Sequence, residues 1–196
     1  MAHTGEALAR LDSLLEGTLR TPDPLGEPTR WDIVTHLLAA AAPTADARLA
    51  AQVTRDGTPD GRRRAFIAGA ARPLAPTKRD YFTRYFADSA LNEDWASGSL
   101  GAFNTPDHQA LTLPWLRPAL DSLRYIQTHR RIFFLGGWLG SFLGGQTSDA
   151  SLETVRAFLA ERPDLPADLR RKVLENMDEL ERTVRIRQRW GAAAGF

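Results

Sequence analysis

The sequence predicts an all-α fold, and three observations lead to this class. Apolar residues recur every three to four positions along nearly all of the 196 residues, which is the spacing of one helix face. No stretch alternates apolar and polar residues for long enough to demand a strand. Short turns rich in proline and glycine divide the periodic segments, so successive helices should be antiparallel neighbours. We predict about ten helices, stacked in antiparallel pairs as an irregular α-solenoid of the HEAT-like kind, in a single domain over 1–196.

The first half of the chain is predicted to form five helices. Turns at 21–26 and 56–61 and a stop at Pro43 separate the first four helices, and Pro76 begins the fifth. Thr44 is expected to cap the third helix with its hydroxyl. The main apolar residues of these helices are, in chain order, Leu8, Leu11, Leu15, Trp31, Val34, Leu37, Leu49, Phe66, Tyr81, Phe82, Tyr85 and Phe86.

An apolar helix is predicted over about 130–144, after short helices between 92 and 128. Its glycines at 136, 140 and 144 repeat every four residues. The helix falls short of the roughly 20 residues that cross a membrane, and charged segments flank it on both sides. We therefore interpret it as a buried helix whose glycine ridge accepts a neighbouring helix at short range.

Two further helices are predicted towards the end of the chain. Ser148 is expected to cap the first of them, and the second should occupy about 167–190. Opposite charges four residues apart line the outer face of the last helix. We interpret this as a solvated face, because each such pair adds only about 0.2–0.5 kcal/mol. Its apolar stripe consists of Leu169, Val173, Met177, Leu180 and Val184.

Composition and motifs exclude several classes of chemistry. The chain has no cysteine, which excludes disulfides, a thiol nucleophile and a cysteine-ligated metal. None of its four histidines lies one helical turn from another, as a hydrolytic zinc site requires. A net charge of +1 argues against a dedicated nucleic-acid binder. We therefore expect no catalytic residue, cofactor or metal here, and the lack of a secretory signal at the start favours a cytoplasmic location.

Two arginine clusters are candidates for binding. For Arg62–Arg64, at the start of the fourth helix, we favour a solvated helix start over a phosphate or nucleic-acid site. Arg130 and Arg131 lie at the mouth of the apolar helix. Two guanidinium groups beside a desolvated surface can hold a carboxylate, and helix capping with surface salt bridges is the alternative.

Short motifs occur in a shared order along most of the chain. They are Arg30-Trp31, the turn Arg55–Arg62, Ala70-Ala71-Arg72-Pro73 followed by Lys78, Phe103 with Pro106 and Gln109, and Leu113-Pro114-Trp115. In this order they resemble the helical C-terminal domain of zinc aminopeptidases of the aminopeptidase N family, in its bacterial branch. The resemblance covers roughly residues 8–190. It departs from the family pattern at Ala102, where the family has glycine, and by one added residue before Gln109.

The resemblance implies a non-catalytic part of a zinc aminopeptidase. The family's His-Glu-x-x-His helix and Gly-x-Met-Glu-Asn loop match nothing in this sequence, so zinc is expected in the catalytic domain of the parent enzyme. The chain would then be a separately produced C-terminal domain that caps the catalytic domain and controls the access of peptides. Arg130, Arg131 and Trp138 are the candidates for contact with the peptide.

Two other functions are open at this point. One is a stand-alone helical scaffold that binds a protein partner, which would need an exposed apolar patch. The aromatic stripe Tyr81–Phe86 and the segment around Trp138 are the candidates for that patch. The other is a membrane-surface module that depends on Trp138 and Phe142. It ranks last, and we expect neither a membrane nor a nucleic acid as partner.

Overall fold

The structure is a computed structural model that describes residues 4–88 and 90–194, without the side chains of 191–194. These ranges contain eleven α-helices, one 3₁₀ helix and no strand, which confirms the all-α class. The packing of the helices in pairs is consistent with a helical solenoid. The helices are α1 Gly5–Glu16, α2 Glu27–Ala39, α3 Ala45–Arg55, α4 Pro59–Ala70, α5 Ala75–Ala87, α6 Glu93–Phe103, α7 Gln109–Asp121, α8 Leu123–His129, α9 Ile132–Gly144, α10 Asp149–Glu161 and α11 Ala167–Ala194, with the 3₁₀ helix Pro106–His108 before α7.

The chain divides into two compact units, Met1–Phe103 and Asn104–Phe196. In the first unit, α4 packs against α2 and α6, and α2 also packs against α1 and α3. In the second unit, α9 packs against α7, α8 and α11, and α10 packs against α7 and α11. The single domain over 1–196 stays a prediction.

The core of the first unit is centred on α2. Trp31, Val34 and Leu37 are buried there, as their helical spacing predicts. Burial of each large apolar side chain contributes about 1.5–3 kcal/mol. The prediction for Thr44 was wrong. It precedes α3 but makes no side-chain cap hydrogen bond, because its backbone is helical, with φ −90° and ψ −7°, rather than extended as a capping residue requires.

The last two helices agree with the sequence prediction. Ser148 accepts a hydrogen bond from the backbone N–H of Ser151 at 3.3 Å and so caps α10. The stripe of α11 is buried at Leu169, Val173 and Leu180. This stripe holds the longest described helix against its neighbours α9 and α10.

The apolar helix α9 corrects the prediction of a glycine ridge. Gly136, Gly140 and Gly144 lie on its exposed side. A Cβ atom built at Gly136 or Gly144 would meet no described neighbouring atom within 4 Å, and one at Gly140 would meet only the Asn176 Oδ1 at 3.8 Å. Large side chains, rather than glycines, make the helix contacts, and α9 is buried on one side only. Its buried residues are Phe134, Leu135, Trp138, Leu139, Phe142 and Leu143.

Candidate functional site

The two predicted arginines form the link between α8 and α9. Arg130 follows the end of α8 with φ −120° and ψ 160°, and Arg131 precedes α9 with φ −64° and ψ 153°. Both are extended, so the chain makes a corner here without any further loop residue. Arg131 is exposed and Arg130 is half-buried. The corner therefore combines two permanent positive charges with the positive end of the α9 dipole, which favours an anion.

A buried aromatic column orients one of these arginines. The guanidinium carbon of Arg130 lies 5.3 Å from the centroid of the Phe134 ring, within the range of a cation–π interaction. The Phe134 ring in turn stacks on Trp138 with 5.8 Å between centroids. Because Phe134 is buried, the Arg130 head group is held against the edge of the core.

The third predicted contact residue, Trp138, lies in the core of the second unit. Its side chain is 1% exposed, and its indole Nε1–H donates to the carbonyl oxygen of Ala119 in α7 at 3.1 Å. The ring also packs against Phe142 with 4.4 Å between centroids. Trp138 thus fixes α9 on α7, and its ring is enclosed by the core of this unit. Contact of Arg130, Arg131 and Trp138 with a peptide stays a prediction.

Two residues of the corner were missed by the sequence analysis. Ile132 is 78% exposed and Phe133 is 88% exposed, the two largest exposed fractions among the large apolar side chains that the structure describes. They begin the same side of α9 that carries Gly136 and Gly140. The available signal was that Ile132 and Phe133 share a helix side with the glycines, whereas the large residues Phe134, Leu135, Trp138 and Leu139 share the other side and offer more apolar surface to bury.

Polar contacts hold α8 in place beside the corner. Arg124 donates to a carboxylate oxygen of Asp164 at 2.9 Å, and Gln127 donates to Asp168 at the start of α11 at 2.5 Å. On the exposed side of α8, the rings of Tyr125 and His129 stack with 4.2 Å between centroids. The helix that precedes the corner is therefore held by hydrogen bonds to Asp164 and to Asp168 at the start of α11.

The arginine cluster at α4 is engaged with the start of its own helix. Arg63 and Arg64 donate to the Asp60 carboxylate at 2.9 and 2.7 Å, and Arg62 donates to the carbonyl oxygen of Gly57 at 2.9 Å. The hydrogen bond from Arg64, followed by the weaker contribution of the one from Arg63, lowers the pKa of Asp60. This agrees with a solvated helix start.

Two of the sequence motifs form a single structure in the first unit. The Trp31 Nε1–H donates to one carboxylate oxygen of Asp56 at 2.8 Å, and the Thr58 hydroxyl donates to the other at 2.6 Å. These two hydrogen bonds lower the pKa of Asp56, and the bond from Thr58 makes the larger contribution. Gly61 lies directly against Asp56, where a Cβ atom would overlap the carbonyl oxygen of Asp56. The motif Arg30-Trp31 and the turn Arg55–Arg62 therefore meet at one carboxylate.

The motif Ala70-Ala71-Arg72-Pro73 followed by Lys78 is explained by the burial of its lysine. Lys78 is 0% exposed, and its ammonium donates to the carbonyl oxygen of Ala70 at 2.7 Å. The Nζ atom also lies 5.1 Å from the centroid of the Phe103 ring. Ala70 is the last residue of α4, where a positive charge is favourable. Burial nevertheless lowers the pKa of Lys78 to about 8.

Two further properties concern metal ions and membranes, within the part of the chain that the structure describes. No three His, Asp or Glu side chains come together there in a way that could hold a metal ion. None of the described helices combines the length and the apolar character needed to cross a membrane.

Known proteins similar to this chain point to one family. A protein called Aminopeptidase N from Streptomyces lividans is 29% identical over 198 residues, which cover 98% of this chain and 22% of that relative. This chain thus spans about a fifth of the length of the curated relative it matches. The family model described as the ERAP1-like C-terminal domain matches residues 1–182. Since this match covers far more than half of the chain, the protein belongs to the family of ERAP1-like C-terminal domains.

Proposed function

We propose that this chain is the non-catalytic C-terminal helical domain of a zinc aminopeptidase, in which it caps the catalytic domain and controls the access of peptides. The observation that carries the proposal is the family match over residues 1–182. The similarity to an aminopeptidase of which this chain spans only 22% supports it further. The first unit lends support as well, because the motifs around Asp56 and Lys78 each form a defined contact there.

Zinc belongs to the catalytic domain in this proposal. Hydrolysis at zinc needs three protein ligands and a bound water, and no such group of side chains lies among the described residues. The contribution of this chain is therefore to shape the space around the substrate. A rigid cover excludes water and oversized substrates from such a space. The proposed place of action is the cytoplasm.

Arg130 and Arg131 are the residues proposed to contact the peptide. A guanidinium group presents paired N–H donors that match a carboxylate. The contact between Arg130 and Phe134 holds one of these groups in place before a ligand arrives, which reduces the entropy lost on binding. The ligand that fits this corner is the carboxylate end of a peptide.

Steady-state kinetics of the parent enzyme tests this role. The double variant Arg130→Gln, Arg131→Gln should raise KM about a hundredfold or more for peptides, since two charged hydrogen bonds are lost and each costs about 1.5 kcal/mol or more. KM for an aminoacyl anilide, which has no carboxylate end, should stay unchanged. Arg171→Gln is the matched control, because Arg171 is an exposed arginine on α11. Equal changes for both substrates, or none for either, would contradict the role of the corner.

A stand-alone scaffold that binds a protein partner is the second candidate function. The observation in its favour is the exposure of Ile132 and Phe133. In the other patch expected for it, Tyr81 and Tyr85 are buried, whereas Phe82 and Phe86 are half-buried. Genomic sequence separates the two functions. A coding sequence for a His-Glu-x-x-His domain joined to this chain or next to it supports the aminopeptidase, and its absence supports the scaffold.

A further inference from the structure

We propose that the exposed side of α9 is the surface on which the catalytic part of the parent enzyme docks. This inference rests on the proposed function. We call this surface the outer face of α9; it consists of Ile132, Phe133, Gly136, Gly137, Gly140 and Gly144.

The outer face of α9 has the composition of a covered surface. From Ile132 to Gly144 the helix contains no charged residue, although solvated helix faces ordinarily carry charges. Its two large members, Ile132 and Phe133, are 78% and 88% exposed in this chain. Depletion of charge around exposed aromatic and aliphatic residues is the composition of an interface core. Phe133 is the natural anchor, because aromatic residues dominate binding energy in such cores.

The glycines of the outer face are not needed by the packing of this chain. A Cβ atom at Gly136, Gly137 or Gly144 would meet no described neighbouring atom within 4 Å. Each glycine inside a helix costs about 1 kcal/mol relative to alanine. These glycines therefore lower the stability of α9, and no described packing contact requires them. Glycine is favoured where another backbone must approach closely. The approaching backbone has to come from outside the described chain.

The catalytic part of the parent enzyme is the occupant that best fits this surface. The aminopeptidase relative is several times longer than its match to this chain, which covers 22% of it, so most of such an enzyme lies outside the structure. A permanent partner suits an uncharged apolar surface, because obligate interfaces are the most apolar ones. Peptide substrates differ in sequence and could not cover Phe133 constantly. The cationic corner at Arg130 and Arg131 borders this face and would lie at the rim of the interface.

Labelling of single cysteines tests the docking surface. The chain has no cysteine of its own, so Phe133→Cys and Gly137→Cys each introduce one thiol, and Glu175→Cys on α11 is the exposed control. A maleimide should label all three thiols rapidly in the isolated chain. In the parent enzyme, with the catalytic part present, labelling at 133 and 137 should slow about tenfold or more, because thiol reaction depends on access. The rate at 175 should stay the same, and circular dichroism checks the fold of each variant.

Each other outcome overturns the inference. Equal labelling at 133, 137 and 175 in an active parent enzyme contradicts the docking surface and leaves the proposed function intact. Protection that already occurs in the isolated chain and grows with its concentration assigns the face to a second copy. If no catalytic part exists for this chain, both proposals fail. Protection within a larger protein that lacks zinc-dependent aminopeptidase activity overturns the proposed function, and with it the catalytic part as the occupant of this surface.

Discussion

Lys78 in the first unit and Phe133 in the second each lie where residues of their type are uncommon. The lysine is a charged side chain that is 0% exposed, and the phenylalanine is an apolar ring that is 88% exposed. The chain itself compensates for the first, through the Ala70 carbonyl oxygen and the Phe103 ring. The second ring is left in solvent by the described part of the chain. Lys78 is therefore stabilised by contacts within its own unit, whereas the outer face of α9 is suited to a contact that the described part of the chain does not supply.

The largest expected effect separates the two sides of α9. Trp138→Ala should lower the free energy of unfolding by about 3–5 kcal/mol, because it removes a buried ring and leaves a cavity. Phe133→Ala, the matched control on the outer face, should change it by no more than about 0.5 kcal/mol in the isolated chain. Urea unfolding measures both values. Similar losses for the two variants would contradict the assignment of inner and outer sides.

The second prediction concerns the pH dependence that the buried lysine creates. Below about pH 8 the folded and unfolded chains both hold the Lys78 proton, so the full cost of burying the charge is present. Between about pH 8 and the ordinary pKa of 10.5, the folded chain binds fewer protons than the unfolded chain. The free energy of unfolding should therefore rise with pH, by about 3 kcal/mol over this interval.

Comparison with Lys78→Met isolates this contribution, since other titrating groups are common to both proteins. The stability of the natural chain relative to the variant should increase from pH 8 to pH 10.5, as measured by urea unfolding at several pH values. A difference that stays constant with pH would show that burial of Lys78 does not disfavour its charge.

The smallest predicted effects compare two glycines. Gly61→Ala should destabilise the chain by about 1–3 kcal/mol, because the new methyl group overlaps the Asp56 carbonyl oxygen. Gly137→Ala should stabilise the isolated chain by about 0.4–1 kcal/mol, because the methyl group meets open space. Thermal unfolding measures both changes. If both substitutions destabilise the chain, the outer face of α9 is packed within it and the comparison fails.

Local pattern was sufficient to predict much of the fold. The stripe from Leu169 to Val184 identified α11 because its opposite face is charged, so periodicity showed which side is buried. In α9 both sides are apolar, and periodicity alone could not show which is buried. Glycine has little apolar surface to bury, which favours the exposed side, but the spacing of 136, 140 and 144 favoured a close helix contact instead.

Part of the candidate site depends on partners that are distant in sequence. The corner at Arg130 and Arg131 follows from a short link between two helices, so local sequence is sufficient to locate it. The burial of Trp138 depends on the Ala119 carbonyl oxygen, and the motif at Trp31 depends on Asp56, which is 25 residues away. A sequence shows that such groups exist but not which of them meet.

The rate at which the purified chain hydrolyses an aminoacyl anilide with added zinc is the decisive measurement. In the proposed function this chain is a recognition and capping domain, and the active site belongs to the catalytic domain. We predict no turnover above the blank for the chain alone, and zinc-dependent turnover when the catalytic domain is present. Zinc-dependent turnover by the chain alone that survives repeated purification would contradict the account.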